Sequence, residues 1–277
     1  MIPVLLHLGP LTIYSYGLMM ALGFISGDFL LTRECKRRGI SPDFANAVVV
    51  WGAISGIVGS RIYDIFDNWT YYASDPWSMV FSGSGFVWYG GLIAGLISTA
   101  VIARRYKVRI LTTFDMCAPA LILGQAFGRM GCQLSGDGDW GLPSTLPWAM
   151  AYPHAIVGWS ARTVLRLDAH GQLVSGYFPG VRVHPAPIYE VLLYTAIFVL
   201  MWSIRKSAPE GRLLSLYLIL AGLARFMVEF VRINPRVMYG LSEAQLISIV
   251  MVLSGVAVWY LTAARAPARA APQAIRA

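Results

Sequence analysis

Residues 128–141 read Gly-Arg-Met-Gly-Cys-Gln-Leu-Ser-Gly-Asp-Gly-Asp-Trp-Gly, and they follow an apolar run, Phe114 to Phe127, that is typical of a membrane helix. The charged Arg129 therefore lies near the end of a predicted membrane segment, inside a predicted glycine-rich turn, and Asp137 and Asp139 follow it closely. An arginine in lipid is unfavourable unless it faces a polar cavity or an anion, so Arg129 is a candidate functional residue. The alternative is an arginine that only extends to the membrane surface.

The composition indicates a polytopic membrane protein. Of the 277 residues, 57% are hydrophobic and only 13% are charged, whereas about 25% are charged in soluble proteins. The net charge of +8 is not accompanied by a nucleic-acid-binding motif, so we expect no nucleic acid partner. Three scattered cysteines, Cys35, Cys117 and Cys132, form neither a disulfide framework nor a zinc motif, and no metal or other cofactor is implied.

Seven hydrophobic runs approach the length of about 20 residues that a membrane helix needs. We therefore predict an all-α polytopic membrane protein with seven transmembrane helices in a single domain, residues 1–264, followed by a disordered cytoplasmic tail, residues 265–277. The predicted spans are Leu11–Leu31, Phe44–Phe66, Phe86–Ala103, Thr112–Met130, Ile188–Ile204, Leu213–Val231 and Leu241–Leu261.

The basic residues predict the orientation of these helices. Fourteen of the 22 lysines and arginines fall in alternate loops and in the tail, the first cluster being residues 33–38. Because short cytoplasmic loops collect Lys and Arg, the N-terminus is predicted outside and the C-terminus inside. Hydropathy falls between residues 131 and 187, which we interpret as a small external head inserted between two spans. The segments Arg162–Leu167 and Gln172–Tyr177 alternate about a glycine-containing turn, as in a β-hairpin.

Three arginines, Arg61, Arg129 and Arg225, occupy comparable places near the outer ends of predicted spans. Arg225 and Glu229 are four residues apart on one helix, so they share a face. A self-neutralising pair is one interpretation. The other is that three guanidiniums exceed the buried acids and bind an anion. Arginine presents a planar, permanently charged fork that suits phosphate, so we predict the phosphodiester of an anionic membrane lipid as the partner.

Two further segments carry candidate residues. Tyr89 precedes Gly90 and Gly91 at the start of the third span. Tyr89 is either a functional phenol or an interfacial tyrosine beside two glycines that serve helix packing. In the segment His184-Pro-Ala-Pro-Ile-Tyr-Glu190, a proline at position 187 suits the first turn of a helix. The glutamate complements the helix dipole there, so a structural role is predicted for Glu190.

Several motifs occur together, in order, over nearly the whole chain: Tyr16-Gly-Leu-Met19, Gly59-Ser-Arg61, Gly90-Gly-Leu92, Gly128-Arg-Met-Gly131, His184-Pro185 with Tyr189-Glu190, and Arg225 with Glu229. The chain resembles the prolipoprotein diacylglyceryl transferases of bacterial inner membranes. The resemblance implies an outward-facing site in a bacterial inner membrane protein. It also implies transfer of diacylglyceryl from phosphatidylglycerol to the lipobox cysteine thiol of a prolipoprotein signal peptide, with release of glycerol phosphate.

Candidate site residues follow from the motifs and the resemblance. The predicted catalytic residues are Arg129, Arg225, Tyr89, Asp137 and Glu229. The predicted substrate-binding residues are Arg61, Tyr16, Gly90, Gly91, Gly128 and Tyr189. The alternatives are a catalytically weak or inactive paralogue that binds anionic phospholipid or prolipoprotein, a lipid transporter, and a transferase with another acceptor.

The chain departs from the family pattern at a few positions. Tyr89 stands where the family has histidine, and Cys132 and Ser135 stand where it has asparagines. The family glutamate falls on Asp137, or on Asp139 if a residue is inserted before it. Without an insertion Asp137 matches, so the sequence predicts that activity depends more on Asp137 than on Asp139.

Overall fold

The computed structural model describes residues 1–9, 11–70, 87–157, 165–167, 173–175 and 182–264. These residues form seven α-helices: α1 (Ser15–Arg38), α2 (Pro42–Asp67), α3 (Trp88–Arg105), α4 (Ile110–Ser135), α5 (Ala186–Ile204), α6 (Arg212–Val228) and α7 (Glu243–Ala263). A short 3-10 turn, Glu229–Val231, extends α6. The described strands are β1 (Val4–Leu8), β2 (Leu11–Tyr14), β3 (Leu165–Leu167), β4 (Leu173–Ser175), β5 (Arg236–Met238) and β6 (Leu241–Ser242), paired in three two-stranded sheets.

Six of the described helices are long and apolar enough to cross a membrane, namely α1, α2, α4, α5, α6 with its 3-10 extension, and α7. The remaining helix, α3, has 18 residues; it begins with Trp-Tyr-Gly-Gly and ends with two arginines, which lower its hydropathy. The mostly helical fold is therefore confirmed. A seventh membrane span stays a prediction.

The predicted hairpin in the head is confirmed where the structure describes it. Strands β3 and β4 pair antiparallel, with Leu165 opposite Ser175 and Leu167 opposite Leu173. The turn that joins them and the predicted tail, residues 265–277, lie outside the described residues.

The first span begins later than the hydropathy predicts. Residues Leu11–Tyr14 are not helical, because they pair with Val4–Leu8 in a hairpin whose turn includes Gly9 in the left-handed region. Helix α1 then continues through the basic cluster to Arg38. Positive side chains in the last turn stabilise a helix by opposing its dipole, which explains the late end.

The predicted glycine-rich turn around Arg129 is wrong. Helix α4 continues through Gly128 and Gly131 to Ser135. A glycine suits position 131 of α4 because α1 packs closely there. A Cβ on Gly131 would lie only 3.0 Å from the ring of Tyr16 on α1. The chain turns at Gly136 instead, with φ of +66°. The described head therefore comprises residues 136–157, 165–167, 173–175 and 182–185.

The chain divides into two compact units, and the smaller comprises residues 27–116. Within it, α2 and α3 pack through glycines. A Cβ on Gly90 would overlap the carbonyl oxygen of Gly59, and a Cβ on Gly91 would lie 3.1 Å from the carbonyl oxygen of Gly56. Small residues allow this close helix contact. Gly90 and Gly91 thus have a packing role, and contact of either with substrate remains a prediction.

The larger unit comprises residues 1–26 and 117–277. Its core is formed by the facing sides of α4, α5 and α6: Ala118, Ile122, Ala126, Tyr194, Met201, Leu213, Ala221 and Ala224. The head has a small core of its own in Trp140, Tyr152 and Val183, with the two aromatic rings 4.9 Å apart. The hydroxyl of Tyr152 donates to Oε1 of Gln133, 2.9 Å away, which fixes the head to the end of α4.

Candidate functional site

Six charged side chains of the larger unit meet at one end of α4, α5 and α6. We call them the charged cluster: Arg129 from α4, Asp139 from the head, Glu190 from α5, Arg225 from α6, Glu229 from the 3-10 turn, and Arg232 just after that turn. Helix ends and the short segments beside them contribute every member, so the fold of the larger unit fixes their separation.

Glu190 lies at the centre of the charged cluster. Its side chain is fully buried, and its carboxylate lies 3.0 Å from Nε of Arg129 and 2.9 Å from Nη1 of Arg225. Nη1 of Arg232 is 3.5 Å away. The sequence indicated only a structural role for Glu190, although an acid in the first turns of an apolar helix is itself unusual. Ion pairs with three arginines give this residue a central electrostatic role.

The predicted pairing of Arg225 with Glu229 is confirmed. Nη2 of Arg225 lies 3.0 Å from Oε2 of Glu229, one helical turn away. The other oxygen of Glu229 accepts hydrogen bonds from Nδ2 of Asn234, at 2.6 Å, and from Oγ of Ser242, at 2.7 Å. Glu229 is fully buried, and these donors compensate for the loss of water.

Asp139 joins the head to the helices electrostatically. One carboxylate oxygen pairs with Nη1 of Arg129, and the other accepts from Nη2 of Arg232 at 2.6 Å. Burial raises the pKa of Asp139, but the opposing effect of Arg232 and Arg129 is larger, and the pKa lies below its ordinary value. The carboxylate is therefore ionised at neutral pH.

The charged cluster contains three guanidiniums and three carboxylates, so its formal charge is zero. The expectation of surplus positive charge is wrong for this cluster, because the sequence reveals neither that Glu190 faces the arginines nor that the head delivers Asp139 to them. A bound anion would therefore either displace one of these three carboxylates or add a negative charge to a neutral cluster.

Asp137 lies beside the charged cluster and has a different environment. Burial raises its pKa, and one of its oxygens accepts from the backbone N–H of Asp139 at 3.3 Å. The sequence favoured Asp137 over Asp139 as the important carboxylate. Asp139 makes the arginine contacts, and the greater dependence of activity on Asp137 stays a prediction.

Cys132 adds a thiol to this region. It is buried, and its sulfur lies 3.9 Å from Nη1 of Arg129. The potential ligand atoms of Cys132, Asp137 and Asp139 lie within 4.8 Å of one another, a spacing that could accommodate a metal ion. The two guanidiniums that pair with Asp139 oppose a cation at this position, so these residues fit a metal poorly.

Two predicted substrate-binding residues line the same end of α4. The ring of Tyr16 packs on Gly131, two residues after Arg129. Gly128 faces open space, because a Cβ there would meet no atom within 4 Å among the described residues. The structure therefore places Tyr16 against Gly131, two residues from Arg129, and substrate binding by Tyr16 and Gly128 remains a prediction.

Tyr189 precedes Glu190 on α5 and holds two side chains of the head. Nε1 of Trp148 donates to its hydroxyl at 2.8 Å, and Nδ1 of His184 lies 3.1 Å from the same oxygen. Burial lowers the pKa of His184 below its ordinary value. These contacts join Tyr189 to the head, and its role in substrate binding remains a prediction.

Arg61 and Tyr89 lie in the smaller unit. Nη1 of Arg61 is 3.9 Å from a carboxylate oxygen of Asp64, one turn along α2. Tyr89, in the first turn of α3, makes an edge-to-face contact with Trp88, and its ring lies 6.3 Å from that of Tyr63. Roles in substrate binding and proton transfer remain predictions for these two residues.

The fold and the site define a class of protein: a multi-pass membrane protein with a buried, charge-balanced arginine–carboxylate cluster beneath a small head. Sequence comparison narrows this class. The family described as prolipoprotein diacylglyceryl transferase matches residues 3–261, and the chain belongs to that family of transferases.

Similar proteins cover nearly the full length of the chain. A Clostridium tetani protein named phosphatidylglycerol–prolipoprotein diacylglyceryl transferase is 32% identical over 260 residues, which cover 93% of this chain and 96% of that protein. A Methylococcus capsulatus protein of the same name is 33% identical over 269 residues, covering 92% of each chain.

Proposed function

We propose that this protein transfers the diacylglyceryl group of phosphatidylglycerol to the lipobox cysteine thiol of prolipoproteins, the first step of lipoprotein maturation. The charged cluster carries the proposal, because Glu190 brings Arg129 and Arg225 together in a chain whose residues 3–261 match the family. Guanidiniums at the end of membrane helices suit a lipid phosphate.

The proposed reaction is an alkyl transfer. The substrate thiolate attacks the glycerol carbon, a carbon–sulfur bond forms, and the carbon–oxygen bond to phosphate breaks. The bonding electrons leave with the phosphate oxygen, so glycerol phosphate departs and the thiol proton passes to a base. Arg129 and Arg225 stabilise the charge on the leaving phosphate, which is the largest contribution expected from the protein. Positive charge near the incoming thiol also favours its reactive thiolate form.

Tyr89 is proposed to interact with lipid or carboxylate through its hydroxyl group. A phenol is a weaker base than imidazole at neutral pH, so a hydrogen-bonding role suits it better than proton abstraction. We expect Tyr89→His to leave the turnover rate nearly unchanged. We expect Tyr89→Phe to raise the activation free energy by about 1–3 kcal/mol, because it leaves a buried partner without its donor.

A pH–rate series on the wild type and both Tyr89 variants tests this assignment. A rise in the activity of Tyr89→His near pH 7 would instead indicate that the family histidine acts as the base that abstracts the proton. Wild-type kinetics in Tyr89→Phe would reduce Tyr89 to an interfacial residue and contradict both roles.

We further propose seven spans in the bacterial inner membrane, with the N-terminus and head outside and residues 33–38 inside. The distribution of Lys and Arg supports this orientation. In right-side-out vesicles, a membrane-impermeant maleimide is expected to label Thr145→Cys in the head, and Lys36→Cys only after permeabilisation. The native cysteines are buried, which keeps background labelling low. Labelling of both positions from one side would contradict the seven-span arrangement.

A binding protein without transferase activity is the second candidate, and Tyr89 and Cys132 favour it because they replace polar family residues. Release of glycerol phosphate from phosphatidylglycerol vesicles separates the two candidates. The transferase requires a peptide with the lipobox cysteine, and a cysteine-to-serine peptide is the control. Binding of lipid and peptide without release would favour the second candidate.

A further inference from the structure

Arg129 and Arg232 together form a seat for a small anion with two oxygens. The carboxylate of Asp139 occupies that seat, with one oxygen on each guanidinium. The two non-bridging oxygens of a phosphodiester carry the same single negative charge. Guanidinium forks bind carboxylates and phosphates with similar geometry. The seat therefore suits either anion.

Asp139 is the most exposed carboxylate of the charged cluster. The side chains of Glu190 and Glu229 are fully buried on helical backbone, whereas that of Asp139 is 29% exposed. Asp139 lies on a turn that contains Gly136 and Gly138, both at positive φ. A turn of this kind changes conformation more readily than a helix does.

Charge balance favours exchange over addition. The charged cluster is neutral with Asp139 in place, so an added phosphodiester would leave a net negative charge in a largely buried site. An uncompensated buried charge is strongly unfavourable. Exchange of one monoanion for another keeps the sum at zero.

We propose that Asp139 occupies the seat of the substrate phosphate between Arg129 and Arg232 in the lipid-free protein, and that the phosphodiester displaces it on binding. This inference rests on the proposed function and adds Arg232 to the phosphate-binding residues. Arg225 is bound to Glu190 and acts on the anion at this seat through space.

The affinity of an Asp139→Asn variant tests the exchange. Short-chain phosphatidylglycerol is titrated into the full-length protein in detergent and followed by calorimetry. Asp139→Asn removes the competing anion, so the lipid no longer has to displace a carboxylate held by charge-assisted hydrogen bonds. The dissociation constant of the lipid is therefore expected to fall by about tenfold or more. Asp139→Glu retains a competing carboxylate and is expected to bind within about threefold of wild type.

Glu243→Gln is the matched control, because it also removes one negative charge from the larger unit, at an exposed position in the first turn of α7. Its lipid affinity is expected to stay within about threefold of wild type. An equal gain in Glu243→Gln would indicate a general effect of negative charge and overturn the exchange. Unchanged or weaker binding in a folded Asp139→Asn protein would also overturn it.

A structure of the wild-type protein with bound phosphatidylglycerol provides a second test, which does not depend on the stability of any variant. The phosphate is expected on Arg129 and Arg232, with the carboxylate of Asp139 moved away from both. A phosphate bound elsewhere, with Asp139 still on the two arginines, would contradict the exchange. If the wild type makes thioether product while either test fails, only the exchange is wrong. If the wild type neither binds nor transfers this lipid, the proposed function itself fails.

Discussion

Replacing Arg129 with alanine is expected to abolish detectable transfer, a loss of at least about 100-fold in turnover, because one lost donor to a developing anion has an effect of about this size. Arg129 contacts both Glu190 and Asp139, so its guanidinium lies where the departing phosphate is proposed to lie. Arg225→Ala is expected to have the same consequence, because it removes a positive charge from the cluster and leaves Glu190 and Glu229 without their shared guanidinium. Thioether formation with a lipobox peptide, at saturating phosphatidylglycerol, measures the loss.

Arg105→Ala is the matched control for these arginine variants. Arg105 ends α3 in an exposed position, and its removal is expected to leave turnover nearly unchanged. Size-exclusion profiles and thermal unfolding establish that each variant is folded. Unchanged turnover in a folded Arg129→Ala or Arg225→Ala protein would show that the arginine is only one half of a structural ion pair.

Glu190→Ala is expected to destabilise the protein by about 3–5 kcal/mol, the effect of removing one partner from a buried ionic network. The variant leaves the guanidiniums of Arg129 and Arg225 without their shared carboxylate. A large fall in the apparent unfolding temperature in detergent, or the loss of folded protein on purification, is the expected observation.

The control for Glu190 is Glu243→Gln, at an exposed position in the first turn of α7. Surface substitutions of this kind usually change stability by about 0.5 kcal/mol or less. If Glu190→Ala were as stable as this control, the ion pairs of Glu190 would contribute little to the fold. The account of a tightly coupled charged cluster would then be wrong.

The contact between site residues on the same helix could be predicted from the sequence. Arg225 and Glu229 are one helical turn apart, so their pairing follows from helix geometry, and the structure confirms it. The partnerships of Glu190 with Arg129 and of Asp139 with Arg232 join residues far apart in the chain. Sequence spacing alone does not predict contacts between residues so far apart in the chain. Arg232 was missed although it follows Glu229 by one turn.

The ends of the membrane helices were predicted less well than their existence. Glycine lowers helix propensity, so Gly128 and Gly131 suggested a turn. Packing overrides that preference, because Gly131 allows the ring of Tyr16 to approach α4. The extra turns carry Arg129 within a regular helix, which fixes its direction towards Glu190 more firmly than a flexible turn would.

The most direct test of the proposed activity is the mass of a synthetic lipobox peptide after incubation with the purified full-length protein in phosphatidylglycerol vesicles. We expect the peptide to gain one diacylglyceryl group on its cysteine sulfur, and one glycerol phosphate to appear for each modified peptide. A peptide of unchanged mass, in the presence of folded protein that binds both lipid and peptide, would contradict it.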